Sequence, residues 1–263
     1  MDLGLRGKIA LVSASSRGLG RAIAEELAAE GANLVLCARG ETTLRETAES
    51  IRKSSGVIVV DVAADVSDPD GLDRVARTAL EKFGRVDILV TNSGGPPSGP
   101  FESLTPEMWD AAARLLLTSA VGLARAVLPG MKGRRWGRIL NVTSIAVKQP
   151  IDGLMLSNSL RAAVTGFART LANEVAPFGV TVNAILPGYT RTDRVEELAR
   201  ATSERSGKPV KDAFAKWEGE IPMGRIGEPR EFAAVAAFLA SERASYITGS
   251  SIAVDGGWIR SLL

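Results

Sequence analysis

The sequence predicts a doubly wound α/β domain, with about seven parallel strands in one sheet and helices on both faces. Three observations predict it. Short runs rich in Val, Ile and Leu recur along the chain, longer amphipathic stretches separate them, and a glycine-bearing segment lies between the first run and the first helical pattern. Strands covered on both faces are brief and continuously apolar in this way. Strand–helix–strand alternation then gives parallel pairing through right-handed crossovers.

The elements follow in order. A strand over 8–13 opens the chain, and Ala and Leu at helical spacing predict a helix over 20–30. Strands are predicted over 33–38 and 57–62. A helix over 68–83 begins with an acidic first turn, which suits the positive end of its dipole. A strand over 86–92 leads to a long helix over 106–128, apolar along one side. A strand over 137–142, a helix over 157–175 and a strand over 180–186 follow. Residues 191–221 interrupt the rhythm. They are polar and helical in pattern, and predict a small lid or substrate lobe, with a plain surface helix pair as the alternative. Pro229 suits the first position of a helix over 229–241, and a short strand over 251–254 completes the sheet. No Pro/Gly/Ser-rich linker divides the 263 residues, so a single domain over 1–263 is expected. Ligands of such sheets bind beyond the carboxyl ends of the strands, near the point where the strand order reverses.

Composition narrows the function. The formal net charge is only +2, and the one basic cluster, Arg134, Arg135 and Arg138, reads as a solvated loop, so no nucleic-acid partner is expected. The single cysteine, Cys37, cannot form an internal disulfide, which fits a reducing, cytoplasmic setting. No apolar stretch approaches the roughly 20 residues needed to cross a bilayer, and no membrane association is expected. The chain has no histidine. That removes the commonest general base and metal ligand, and with them zinc hydrolysis and Ser-His-Asp chemistry. No metal site is expected.

The first strand runs into Ser13-Ala14-Ser15-Ser16-Arg17-Gly18-Leu19-Gly20. Glycines let backbone approach a pyrophosphate closely, the helix N-terminus that follows favours anions, and Ser13, Ser15 and Ser16 add donors. Charge selects the dinucleotide. A carboxylate ending the second strand would bind a ribose 2′-hydroxyl; that position, 18 residues past Gly20, is Ala38, and Arg39 follows it. Arg17 and Arg39 together can grip a 2′-phosphate through forked hydrogen bonds. NADP(H) is therefore favoured over NAD(H).

From this loop onward the sequence resembles the short-chain dehydrogenase/reductase family, with a Rossmann fold, over nearly its whole length. Residues 13–20 resemble the family's glycine motif, with Ala14 where the first glycine is expected, a substitution that a negative φ would accommodate. Asp65-Val66 resembles the adenine-binding pair, Thr91-Asn92-Ser93-Gly94 the Asn-Asn-Ala-Gly segment, and Asn141-Val142-Thr143-Ser144 the strand ending in the active-site serine. Pro187-Gly188, with Thr190 and Thr192, resembles the segment closing over the nicotinamide, and Val254-Asp255-Gly256-Gly257 the C-terminal strand. The likeness is strongest to the 3-oxoacyl-carrier-protein reductase branch.

The resemblance implies hydride exchange with a carbonyl or alcohol, using an asparagine, a serine and a Tyr-x-x-x-Lys pair. Here Leu116 stands at the asparagine position, Ser144 at the serine, Ser157 at the tyrosine and Arg161 at the lysine. Four residues apart, Ser157 and Arg161 share a helix face. Arg161 keeps the charge and can bond the ribose hydroxyls, whereas Ser157 lacks a phenol's acidity and reach. Tyr189 and Lys148 are candidate replacement donors. Three functions remain open: an NADP(H)-dependent oxidoreductase with a non-standard proton donor, a catalytically degenerate dinucleotide-binding sensor or partner subunit, and a lyase or isomerase in which Ser144, Arg161 and Tyr189 polarise an oxygen. The substrate is a small molecule. Walls from 95–101, 146–156 and 191–221 are mostly apolar or small, and suggest no strong substrate charge. The family implies a homo-oligomer, commonly a tetramer, with the helices over 106–128 and 157–175 and the tail over 258–263 as candidate interfaces.

Overall fold

The computed structural model describes residues 2–262, apart from the side chain of Arg205. Met1 and Leu263, the two ends of the expected domain, lie outside the described residues. Seven strands form one parallel sheet in the order β3-β2-β1-β4-β5-β6-β7. They are β1 (Ile9–Ser13), β2 (Asn33–Ala38), β3 (Val59–Ala63), β4 (Ile88–Thr91), β5 (Gly137–Val142), β6 (Val180–Pro187) and β7 (Ser251–Val254). The order reverses between β1 and β4, whose central register pairs Leu11 with Leu89.

Alternate residues of one strand feed opposite cores, which is why β1 is apolar throughout. Ala10 and Val12 join the core under α1 (Gly18–Ala29) and α9 (Pro229–Ala240), with Ile23, Leu27, Phe232 and Ala236. Leu11 joins the other core, under α3 (Pro69–Phe83), α5 (Ser119–Arg134) and α6 (Met155–Val175), with Val75, Leu123 and Ala172. Local signals set the helix ends. The Asp68 carboxylate accepts from the Gly71 N–H at the start of α3, Pro69 follows the cap, and Gly84 (φ +70°) ends the helix. A Glu228–Glu231 capping box with Pro229 opens α9.

Two features depart from the sequence expectation. Residues Glu41–Ser55 form a helix, α2, that the pattern did not suggest, because only Leu44, Ala48 and Ile51 supply its apolar side. The fourth strand's helix continues past Pro129 to Arg134, as α4 (Pro106–Ala113), a π turn (Arg114–Thr118) and α5. Taken whole, Pro106–Arg134 is long and apolar enough to cross a membrane by length and composition, which the sequence reading did not anticipate; here its Leu123, Val127 and Met131 are buried in the core. Residues 191–221, helical in pattern from the sequence, form two helices, α7 (Asp193–Ser206) and α8 (Val210–Glu220), which share a small apolar cluster of Val195, Ala199, Ala213, Trp217 and Ile221.

Candidate functional site

A cleft of about 1050 Å³ opens beyond the carboxyl ends of the strands, across the β1/β4 reversal. At its first end lie Ser16, Arg17, Gly18 and Leu19, with Arg39, Asp65 and Val66 beside them. The loop departs from expectation in its backbone and its serines. Ala14 has φ +49°, not the negative value expected, because the chain turns left-handed there to leave β1. Two of the three serine hydroxyls are turned away from the cleft. Ser13 Oγ donates to the Asn92 carbonyl at 2.8 Å and accepts from the Asn92 N–H at 2.9 Å, stitching the ends of β1 and β4 together. Ser15 Oγ accepts from the Cys37 N–H at 3.0 Å, joining the loop to β2. Both serines are fully buried, so only Ser16 of the three lines the cleft.

Gly20 also sits beneath the cleft. A Cβ there would stand 2.3 Å from the Ala14 carbonyl oxygen, so its glycine serves close packing of helix on loop. No side chain caps α1, whose cap residue is Arg17. Its first-turn N–H groups are therefore left for an anion. The Arg17 guanidinium reaches across to Asp193, the first residue of α7, at 3.2 Å. Burial pushes the Asp65 carboxyl up, but hydrogen bonds from the Ser67 hydroxyl and N–H, with the charge of Arg39, hold it below its ordinary value. Burial, then the charge of Asp65, pushes the Cys37 thiol up to about 12, so this cysteine is inert. An extended anionic dinucleotide fits this donor set: unanswered N–H groups, two guanidiniums and no metal-ligand cluster among the described residues.

The other end of the cleft is lined by Asn92, Gly94, Ser144, Ser157, Arg161, Pro187, Gly188, Tyr189, Thr190 and Thr192. A Cβ on Gly94 would meet nothing within 4 Å, so its absence keeps the floor open. Ser144 caps a short turn after β5, its Oγ accepting from the Ala146 N–H at 3.1 Å. Ser157 stands in the first turn of α6, and its Oγ accepts from Arg161 Nε at 3.2 Å. Arg161 is half-buried. Its Nη1 donates to the carbonyls of Val142 and Thr143 at 3.1 and 3.0 Å, and its Nη2 to the Gly94 carbonyl at 3.5 Å. Burial, and then the neighbouring Arg194, pushes its pKa down to about 10, so it stays charged at neutral pH. Leu116, in the π turn, is buried beside Arg161 in a small adjoining void.

The two replacement donors fare differently. Lys148 is exposed and does not line the cleft, because the turn after Ser144 carries it outward. Tyr189 does line it. Its ring stacks on Trp217 at 4.5 Å and meets Trp258 edge-on at 6.0 Å. Burial, then Glu220, pushes its phenol up to about 12, the opposite of the activation a proton donor needs. Trp258, the first residue of the candidate interface tail, lines the cleft and donates to Glu220 at 3.3 Å. Sequence reasoning missed Asp193, Arg194, Trp217 and Glu220 as cleft residues. Only their place in the irregular 191–221 stretch pointed to them.

Known proteins fall in line with this architecture. A family model described as Enoyl-(Acyl carrier protein) reductase matches residues 13–259. The chain is 37% identical over 255 residues to a 3-oxoacyl-[acyl-carrier-protein] reductase of Vibrio cholerae, covering 97% of this chain and 98% of that protein. It is 38% identical over 262 residues to the D-beta-hydroxybutyrate dehydrogenase of Cupriavidus necator, covering 97% and 99%. Among solved structures, the L-sorbose reductase of Gluconobacter frateurii, complexed with NADPH and L-sorbose, superimposes with a TM-score of 0.95 at 39% identity, covering both chains fully. An actinorhodin polyketide ketoreductase with NADPH gives 0.93 at 31% identity, covering 97% of this chain and 98% of that one.

Proposed function

The chain belongs to the short-chain dehydrogenase/reductase family, and from that premise we propose that it is an NADP(H)-dependent oxidoreductase of a carbonyl or alcohol, in which a serine–arginine pair supplies the proton. The arrangement of Ser144, Ser157 and Arg161 carries this reading. Each serine oxygen already accepts one hydrogen bond from the protein, from the Ala146 N–H and from Arg161 Nε. Each therefore keeps its own hydroxyl proton to give, and both line one cleft. A carbonyl oxygen has two lone pairs and takes two such donors.

Nicotinamide supplies the hydride. Ser16, the α1 N-terminus and the segment Pro187–Thr192 would hold its pyrophosphate and amide, Asp65 and Val66 the adenine, and Asn92, Gly94 and Arg161 the adjacent ribose. Arg17 and Arg39 would grip the 2′-phosphate. That NADPH occupies the similar reductases supports the phosphorylated form. In reduction, Ser144 binds the substrate oxygen while Ser157 gives it a proton. The Arg161 charge, 3.2 Å from Ser157 Oγ, stabilises the oxygen left behind. The helices α7 and α8 form a lid over the substrate end.

The test is NADPH consumption over a broad carbonyl panel, alongside NADPH binding. Turnover that falls with Ser157→Ala supports the reading; tight NADPH binding with no turnover on any carbonyl overturns it. One observation favours a second reading, a non-catalytic dinucleotide-binding sensor or partner subunit: Arg161 clamps the ends of β4 and β5 through three backbone carbonyls, as a structural residue would. Under that reading only the triple variant Leu116→Asn, Ser157→Tyr, Arg161→Lys turns over substrate. We further propose a cytoplasmic homotetramer. The lone thiol is buried and unpaired, and Phe101, Met108 and Met155 are exposed near the long helices. Gel filtration with light scattering tests the assembly.

A further inference from the structure

Arg161 is a half-buried cation to which the protein offers dipoles and no counter-charge. Its hydrogen bonds go to three carbonyls and one hydroxyl, and among the described residues no carboxylate pairs with it. The other guanidiniums at the rim differ: Arg17 is paired with Asp193, and Arg39 has Asp65 nearby. A buried charge without a partner is costly, and costlier beside a like charge.

Arg194 is that like charge. From the first turn of α7 its Nη2 donates to the Pro96 carbonyl at 3.2 Å, while Arg161 Nη2 donates to the Gly94 carbonyl. The two guanidiniums are thus anchored on alternate carbonyls of the outlet of β4, with Gly95 between them. A Cβ on Gly95 would stand 2.6 Å from Arg194 Nε, so the missing side chain is what admits the guanidinium there. Both line the same cleft. Glu197, also at the cleft, holds Arg194 Nη1 at 3.4 Å, but these side chains are 38% and 58% exposed, a weak pair that a ligand can displace. An anion seated between the two arginines would relieve their repulsion and answer the one that lacks a partner.

We propose that Arg161 and Arg194 form a carboxylate subsite at the reacting end of the cleft, so that the carbonyl substrate is a short oxo acid. This departs from the expectation, drawn from wall composition, of a substrate without strong charge. That the occupant is a substrate rests on the oxidoreductase reading; the anion site does not. The other anions able to enter are the cofactor's own phosphates, so the test is run with and without cofactor.

Calorimetry of pyruvate and of acetoacetate, each against its neutral methyl ester, on the NADP⁺-loaded and the cofactor-free chain decides it. With NADP⁺ present neither acid can be reduced, so binding is read alone. The expected result is that at least one acid binds about tenfold or more tighter than its ester in the loaded chain. Arg194→Gln abolishes that preference and Arg194→Lys partly restores it. Equal affinity for acid and ester, a preference that survives Arg194→Gln, or L-sorbose binding as tightly as either acid would overturn the subsite. A preference seen only in the cofactor-free chain would assign the anion site to cofactor phosphate and overturn it too. If the chain binds an acid in preference to its ester but no dinucleotide, the oxidoreductase reading fails and the subsite stands.

Discussion

Arg17 of the glycine loop and Asp193 at the start of α7 are ion-paired at 3.2 Å across the mouth of the cleft. The side chain of Thr192 also lies 3.7 Å from the Cβ position of Gly18 on the same loop. Arg17 is also the residue expected to hold a 2′-phosphate, so the acid and the phosphate compete for one guanidinium. The side chains are 70% and 66% exposed, which limits such a pair to about 0.2–1 kcal/mol. Asp193→Asn is therefore expected to tighten NADPH binding by about two- to fivefold and leave NADH unchanged, as read by quenching of intrinsic fluorescence. Weaker NADPH binding in the variant would mean that Asp193 holds the lid rather than competing for Arg17.

Discrimination between the two dinucleotides rests on Arg39 as well. A charge-assisted hydrogen bond contributes about 1.5–3 kcal/mol, and solvent exposure at this rim places the effect at the lower end. Arg39→Ala is expected to weaken NADPH by about tenfold, and the double variant with Arg17→Ala by more. NADH affinity should change little in either. Parallel losses for both dinucleotides would remove the phosphate assignment.

The proton donor can be isolated from cofactor binding. Ser157→Ala is expected to lower kcat by about 10²–10⁴ while the NADPH dissociation constant stays within about twofold, since Ser157 is assigned to the substrate oxygen. The pH profile gives an independent check. Serine hydroxyls do not titrate near neutrality, Arg161 is pushed down only to about 10, Tyr189 up to about 12, and the chain has no histidine. Turnover should therefore be flat from about pH 6 to 9. A bell-shaped profile centred near 7 would require a donor other than this pair.

The strands were legible because burial on both faces leaves little choice of residue: β1, β2 and β6 are nearly all apolar, and their limits were read within about a residue. The helix α2 was not, since its outer face is Glu, Arg, Lys and Ser and only one narrow row touches the core. Spacing could place Ser157 beside Arg161, because a helix fixes residues four apart on one face. It could not tell which loop serines face the cleft, because Ser13 and Ser15 are turned inward by strands distant in sequence. Nor could it find Arg194, whose meeting with Gly95 depends on where α7 docks.

Ala14 offers a test of the loop that does not need a substrate. Its φ of +49° is a left-handed conformation, which costs a residue with a Cβ roughly 1–2 kcal/mol. Glycine removes that cost but loses roughly 0.5–1 kcal/mol through the greater freedom of its unfolded chain. The difference leaves Ala14→Gly more stable by about 0.5–1 kcal/mol, seen as a rise in the denaturation midpoint at unchanged slope. NADPH affinity should hold or improve, because the turn is kept and Gly20 still packs on the carbonyl of residue 14. A destabilised Ala14→Gly variant would mean that the Ala14 methyl makes contacts worth more than the relief of its backbone.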